Sequence, residues 1–283
     1  MSKIFLCAIN NILSGNCSED CAFCTQSAHF NANISKYKFK PIEQIIQEAK
    51  QAKANGAIGY CLVTAGKGLD NKKTEAVAKI AYEVKKELPD FNLIGCNGTA
   101  TKEQLKYLKE HGITSYNHNL ESSQEYYKKI CSTHSWDERY QTCLNVKEVG
   151  LNLCTGGIYG MGEHFEDRVS LIDAIASLEP ESTPINYFIP NEALPLKANS
   201  ISYEEALEVI DMIKEKLPNA RVMVAGGREL IFNSEAKEKQ MYQRGVSAIV
   251  IGDYLTTKGV EAELDRDRLE RYGLEVAKDC DKR

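Results

Sequence analysis

The 283-residue chain has no long apolar run, no excess of basic charge and no cysteine density of the secreted kind, and each absence closes off a class of function. No stretch approaches the roughly 18 apolar residues that span a bilayer. The start, Met1-Ser-Lys-Ile-Phe-Leu-Cys-Ala-Ile, is too short in apolar residues for a signal peptide and has no small-residue cleavage site after it. Lys and Arg number 35 against 40 Asp and Glu, a net charge of −5 with pI near 5.7, which lacks the basic footprint of a nucleic-acid binder. Ten cysteines are too few for a disulfide scaffold and fit thiols kept reduced in a cytoplasm. There is no Pro- or Ser-rich linker, internal repeat or low-complexity segment, so one domain over 1–283 is expected.

Short apolar, β-rich runs alternate with charged amphipathic segments from end to end. The strand candidates are Ile4–Ala8, Ile58–Thr64, Asn92–Asn97, Ile113–Asn119, Leu151–Thr155, Pro184–Ile189, Arg221–Ala225 and Ala248–Ile251. Helix-like stretches between them include Pro41–Asn55, Thr74–Leu88, Lys102–His111, Trp136–Val149, Tyr203–Leu217 and Ser234–Arg244, several stopped by glycine. Eight such units predict an α/β fold, a single (β/α)8 barrel of TIM type. A doubly wound sheet competes, but no G-x-G-x-x-G turn follows the first strand.

Three cysteines, Cys17, Cys21 and Cys24, fall in the loop 16–24, and no fourth follows until Cys61. Thiolates hold iron–sulfur clusters, and electron-transfer clusters usually have four. Three ligands on a 4Fe-4S cluster leave one iron open, as a metal site that does chemistry keeps an open position. A structural zinc site would need two Cys/His pairs, and only His29 lies near. Burial of unrelated thiols is a poor explanation for a loop carrying Ser18, Glu19 and Asp20.

The strands carry polar and sulfur side chains where a packed barrel carries Val, Ile and Leu. Cys61, Cys96 and Cys154 lie on the second, third and fifth strand candidates, either as small core fillers or converging on the barrel axis. Asn117, Asn119 and Glu121 alternate along the fourth strand, on one face, and His118 faces the other way as a structural residue. Buried, two amides and a carboxylate need partners that a polar ligand supplies. Gly156-Gly-Ile-Tyr-Gly-Met-Gly-Glu163 permits close backbone approach to a ligand. Asn186 sits in an apolar strand, and Arg228 follows the seventh strand in Ala225-Gly-Gly-Arg-Glu229, where an arginine ordinarily binds an anion.

The loop C-x3-C-x2-C, with Phe23 between its last two cysteines, resembles the signature of the radical S-adenosylmethionine enzymes. Tyr116-Asn-His-Asn119, Cys154-Thr-Gly-Gly-Ile158 with Gly160 and Glu163, Pro184-Ile-Asn186 and Ala225-Gly-Gly-Arg-Glu229, in that order, resemble the biotin synthase family over nearly the whole chain. The resemblance implies sulfur insertion into dethiobiotin to give biotin. It implies a 4Fe-4S cluster on Cys17, Cys21 and Cys24, and a 2Fe-2S cluster, the sulfur donor, on Cys61, Cys96, Cys154 and Arg228. It places Asn119 and Glu121 at the ribose of S-adenosylmethionine, Arg139 at its methionyl carboxylate, and Phe23, Gly156, Ile158, Gly160 and Glu163 around its adenine. Asn117, Asn119 and Asn186 fall near the dethiobiotin ring, and Thr256 and Thr257 near its tail. A one-electron donor such as reduced flavodoxin, iron–sulfur assembly machinery and a homodimer are further implications.

Two departures from the family stand out. Glu121 replaces the usual aspartate, and the segment Tyr187–Pro195 lacks the common Lys-rich, Gly-Thr-Pro form. Another radical S-adenosylmethionine enzyme on the same barrel, a mutase or cofactor maturase, need not retain the strand cysteines. A noncatalytic iron–sulfur electron carrier leaves Asn117, Asn119, Asn186 and Arg139 without purpose. Cys7, Cys131, Cys143 and Cys280 are expected to be structural or incidental.

Overall fold

Nine strands, all paired in parallel, close on themselves in a computed structural model that describes residues 3–197 and 200–280. They are β1 (Phe5–Leu13), β2 (Gly59–Thr64), β3 (Asn92–Cys96), β4 (Ile113–Asn117), β5 (Asn152–Cys154), β6 (Gly157–Tyr159), β7 (Ser182–Tyr187), β8 (Arg221–Val224) and β9 (Ala248–Ile251). β1 pairs with both β2 and β9, and β5 with both β4 and β7. β5 and β6 are two halves of one stave, interrupted at Thr155–Gly156, so the barrel has the expected eight staves in a (β/α)8 arrangement.

The helices are α1 (Ile42–Ala54), α2 (Asn71–Glu87), α3 (Lys102–Glu110), α4 (Gln124–Ile130), α5 (Trp136–Glu148), α6 (Phe165–Ser177), α7 (Tyr203–Lys216), α8 (Arg228–Ile231), α9 (Glu235–Gln243) and α10 (Ala262–Arg271). Local chemistry sets their ends. Thr101, Ser135 and Ser202 each accept a bond from the third backbone N–H of the following helix, and Gln104, Glu138 and Glu205 reach back to close a capping box. After α3, Gly112 takes φ +102, the left-handed turn that returns the chain to β4.

The helices pack on the outer face of the barrel. Leu6, Tyr60, Leu62, Leu93, Tyr116 and Leu153 on the strands meet Val77, Ala81, Leu105, Leu171 and Ile210 on the helices in one continuous core. Each such aliphatic side chain contributes about 1.5–3 kcal/mol on burial. Inside the barrel the apolar contacts are two small separate patches, one around Cys7, Met223 and Val250 and one around Cys61, Val63 and Ile94. Outward faces thus hold the fold, which leaves the inward faces free to carry other chemistry.

Candidate functional site

The inward faces enclose a cavity of about 630 Å3. Strand alternation sends Cys7 and Ile9 of β1, Cys61 of β2, Cys96 of β3, Asn117 of β4, Cys154 of β5 and Arg221 of β8 into it, and Asn119, Glu121 and Asn186 line it further along. Burial pushes the Cys96 thiol up to about 12 and Cys154 up to about 11, and raises Cys61 well above its ordinary value. In the protein alone these thiols are neutral. A cationic cluster is what ionises such a set, since thiolate ligation displaces the protons.

Above the barrel, the loop after β1 is folded on its own bonds. Cys17 N–H donates to Gln26 O at 3.0 Å, Ala28 N–H to Cys17 O at 2.7 Å, and Cys24 N–H to Cys21 O at 3.0 Å. The Gln26 side-chain oxygen accepts from Gly15 N–H, 3.1 Å, which fixes the loop's root. Asp20 anchors the loop to the segment after α4, accepting from the backbone and hydroxyl of both Ser132 and Thr133. Those bonds hold its carboxyl well below the usual range against the opposing effect of burial. Phe23 and Cys24 pack against a cluster with Ile158, Met161, Phe188 and Leu194, so the 187–195 segment that departs from the family pattern lies beside the loop.

Glu121 joins the two levels. Its charge adds to burial in raising Cys24 of the loop, pushed up to about 11, and also Cys96 of the barrel. It sits at φ +69, an uncommon conformation for a residue with a side chain, of the kind found at functional sites. Backbone bonds hold it there: Ile158 N–H donates to Glu121 O at 2.8 Å, and Glu121 N–H to Gly156 O at 3.3 Å. Arg139 of α5 reaches Glu121 Oε1 at 2.9 Å and Asn119 O at 2.7 Å. Burial nevertheless keeps the Glu121 carboxyl above its ordinary value, with Arg139 pulling the other way.

Among the described residues, three buried acceptors facing this region have no hydrogen-bond partner: Asn117 Oδ1, Asn119 Oδ1 and Glu121 Oε2. Unpaired buried polar atoms are costly, so their convergence marks a place for a polar ligand. Asn186 is fixed instead by the backbone, its amide donating to Gly157 O at 3.2 Å and its oxygen accepting from Gly226 N–H at 3.1 Å. Asn117 Nδ2 lies 3.7 Å from Cys96 Sγ. The sulfur donors below and the orphan acceptors above fit an iron–sulfur cluster and a polar small molecule.

Other expected site residues are placed less simply. Gly156 has no room for a side chain, because a Cβ there would lie 1.9 Å from Pro184 O. Glu163 is engaged within its own loop: it accepts from Gly160 N–H (2.9 Å), Met161 N–H (2.7 Å) and Arg168 Nε (2.9 Å), so it shapes the turn rather than facing the cavity. Thr256 touches Thr25, beside Cys24, with the two hydroxyl oxygens 2.9 Å apart. Thr257 pairs with Tyr254 through the backbone.

Arg228 requires a correction. It lies past the end of β8, on α8, and its guanidinium turns away from the cysteines to bind Asp265 (2.7 and 2.8 Å) and Glu238 (3.1 Å). That buried group ties α8 to α9 and α10, whereas Arg221, in register on β8, is the arginine that faces the cavity, with its guanidinium carbon 3.6 Å from the Phe5 ring centre. Three of the four remaining cysteines lie beside the cavity or the loop. Cys7 and Cys280 line the cavity, and Cys131 lies 3.7 Å from Cys21. Only Cys143 is plainly structural, fully buried and bonded to His118 O at 3.2 Å. The C-x2-H spacing of Cys131 and His134 was the available signal.

Two family models match the chain: the Radical SAM superfamily over residues 11–175, and the Biotin and Thiamin Synthesis associated domain over 184–275. A biotin synthase of Sulfurovum sp. is 61% identical over 280 residues, covering 99% of this chain and 98% of that protein. Biotin synthases of Nitratiruptor sp. (57%, covering 98% and 99%) and Helicobacter pylori strain G27 (51%, covering 99% and 100%) are similar too. Among solved structures, methylornithine synthase superposes with a TM-score of 0.82 at 19% identity, covering 97% of this chain and 84% of that one. The FeFe-hydrogenase maturase HydG of Carboxydothermus hydrogenoformans does so with a TM-score of 0.82 at 16% identity, covering 96% and 67%. At such identities the structural likeness speaks to the barrel alone.

Proposed function

The chain belongs to the biotin synthase family of the radical S-adenosylmethionine superfamily, and from that premise we propose how its residues divide the work of inserting sulfur into dethiobiotin. The enzyme uses S-adenosylmethionine, a 4Fe-4S cluster and a 2Fe-2S cluster. Together these supply a carbon radical strong enough to remove hydrogen from an unactivated substrate carbon, and a sulfide to bond to that carbon.

Cys17, Cys21 and Cys24 would hold the 4Fe-4S cluster. Cys61, Cys96 and Cys154 would hold the 2Fe-2S cluster, with Arg221 in the place first given to Arg228. Asn119, Glu121 and Arg139 form the polar end of the S-adenosylmethionine site, and Phe23, Gly156, Ile158 and Gly160 its flat apolar side. Glu163 acts there indirectly, by fixing the Gly160 turn. Asn117 and Asn186 offer amides to the ureido ring of dethiobiotin, and Thr256 and Thr257 hydroxyls to its tail. The protein thereby orients a substrate between two sulfur-ligated centres and keeps water from the radical.

The observation that carries this reading is Glu121 with its two asparagine neighbours: unpaired buried acceptors lying between the loop cysteines and the barrel cysteines, within electrostatic reach of both Cys24 and Cys96. An electron carrier has no use for them. The reading entails a one-electron donor, with reduced flavodoxin as the candidate, together with iron–sulfur assembly machinery, a homodimer and a cytoplasmic setting. Among the described residues no helix is long and apolar enough to cross a membrane.

The test is an anaerobic assay of iron- and sulfide-reconstituted protein with S-adenosylmethionine, a strong reductant and dethiobiotin, read by mass spectrometry. Biotin with 5′-deoxyadenosine is expected. Deoxyadenosine without biotin would reopen the substrate, and neither product from protein with verified clusters would return the chain to electron transfer.

A further inference from the structure

Cys131 and His134 belong to neither cysteine set, yet they complete a third one with Cys21. Cys131 Sγ lies 3.7 Å from Cys21 Sγ and 3.3 Å from His134 Nδ1, and the three ligand atoms all fall within 4.8 Å of one another. Glu19 Oε2 is 2.7 Å from the same imidazole nitrogen. Cys131, His134 and Glu19 are all buried, each 7% exposed. The other ring nitrogen is taken up by Tyr127 Oη at 2.7 Å and Arg139 Nη1 at 3.2 Å, so the ring is held on both sides.

A thiol, an imidazole and a carboxylate in contact suggest a nucleophile and its base. The geometry argues otherwise. In such a triad the thiol and the carboxylate use opposite ring nitrogens, whereas here both converge on Nδ1. Two sulfurs and one imidazole nitrogen, all within 4.8 Å of one another, are instead the donors of a thiophilic divalent cation, with the Glu19 carboxylate placed to take the Nδ1 proton that the cation displaces. With metal–sulfur bonds of about 2.3 Å, tetrahedral ligation sets two sulfurs about 3.8 Å apart, close to the separation found.

We propose that the cluster-free chain binds one divalent thiophilic cation, zinc or iron(II), through Cys21, Cys131 and His134, with a solvent oxygen as the fourth donor. The binding site itself does not depend on the sulfur-insertion reading. Because Cys21 is shared, the single ion and a cluster on Cys17, Cys21 and Cys24 exclude each other, and this clause alone rests on the loop assignment. Metal supply thus decides which of two centres forms around Cys21.

One equivalent of zinc added to cluster-free full-length protein, read by X-ray absorption, tests the proposal. Two sulfur ligands with nitrogen and oxygen are expected; three or more sulfurs would place the ion on one of the other cysteine sets and overturn it. A second measurement uses the Cys17→Ser/Cys24→Ser double variant titrated with cobalt(II). One equivalent with a thiolate-to-metal charge-transfer band is expected, and that band is lost on adding Cys131→Ser. A double variant without the band, or a triple variant that keeps it unchanged, contradicts the proposal.

Discussion

The loop and the barrel hold cysteine in opposite ways. In the loop, Cys17, Cys21 and Cys24 are neighbours in sequence, and a polar mesh of backbone bonds, Gln26 and Asp20 fixes the bend of the chain that carries them. In the barrel, Cys61, Cys96 and Cys154 are far apart in sequence, and what brings them together is parity along regular strands and closure of the sheet. A local site is therefore sensitive to local bonds, and a topological site to anything that moves a strand or breaks its register.

The two arginines give the largest test of that difference. Arg228→Met would leave Asp265 buried without its cation and Glu238 with only Arg268 at 3.4 Å, an expected loss of about 3–5 kcal/mol in urea denaturation. The spectrum of the second cluster should survive in whatever protein folds. Arg221→Met should do the reverse, altering that cluster's absorption and Mössbauer signals while leaving the unfolding midpoint close to wild type. If Arg228→Met alters the cluster and Arg221→Met does not, the assignment of the cavity-facing arginine is wrong.

How much of this was legible follows the same division. The alternation of apolar runs with charged amphipathic segments gave seven staves close to their observed bounds, because each strand buries its outward face on a helix. The first was harder: β1 extends to Leu13, since Asn10 is satisfied by Glu48, Tyr60 and Lys40 and so tolerates burial. β6 was hidden in the glycine run 156–160. The loop cysteines were legible from spacing alone. Arg228 was misplaced because a residue past the strand end no longer follows strand parity, while the parity of Arg221, Met223 and Ala225 was there to be read. Nothing in the spacing linked Cys131 to Cys21, which lie 110 residues apart.

The junction between the levels gives the next effects. Arg139→Leu removes the partner of buried Glu121, with an expected cost of about 3 kcal/mol at neutral pH. Burial already raises the folded-state value of that carboxyl, so folding favours its protonated form. Its contribution is then fully present below the unfolded value and is lost as pH rises through the raised one. Without Arg139 the value climbs further, and the variant's deficit should shrink as the pH is lowered toward the ordinary carboxyl range. Urea denaturation across that range checks this; a deficit independent of pH would contradict the buried pair.

Gly156→Ala presses a methyl group on Pro184 O and should cost about 2–3 kcal/mol by the same measurement, with weakened S-adenosylmethionine binding because the stave is displaced where it meets Glu121. Thr256→Val removes one hydroxyl contact with Thr25 and should cost only about 1 kcal/mol. A cost as large as that of Gly156→Ala would mean that the loop depends on the barrel rim more than its own hydrogen bonds imply.

The most direct measurement is anaerobic product analysis of the Cys154→Ser variant after cluster reconstitution. If the loop makes the radical and the barrel donates the sulfur, this variant binds and cleaves S-adenosylmethionine to 5′-deoxyadenosine but forms no biotin. A wild-type yield of biotin would contradict the division between the two regions.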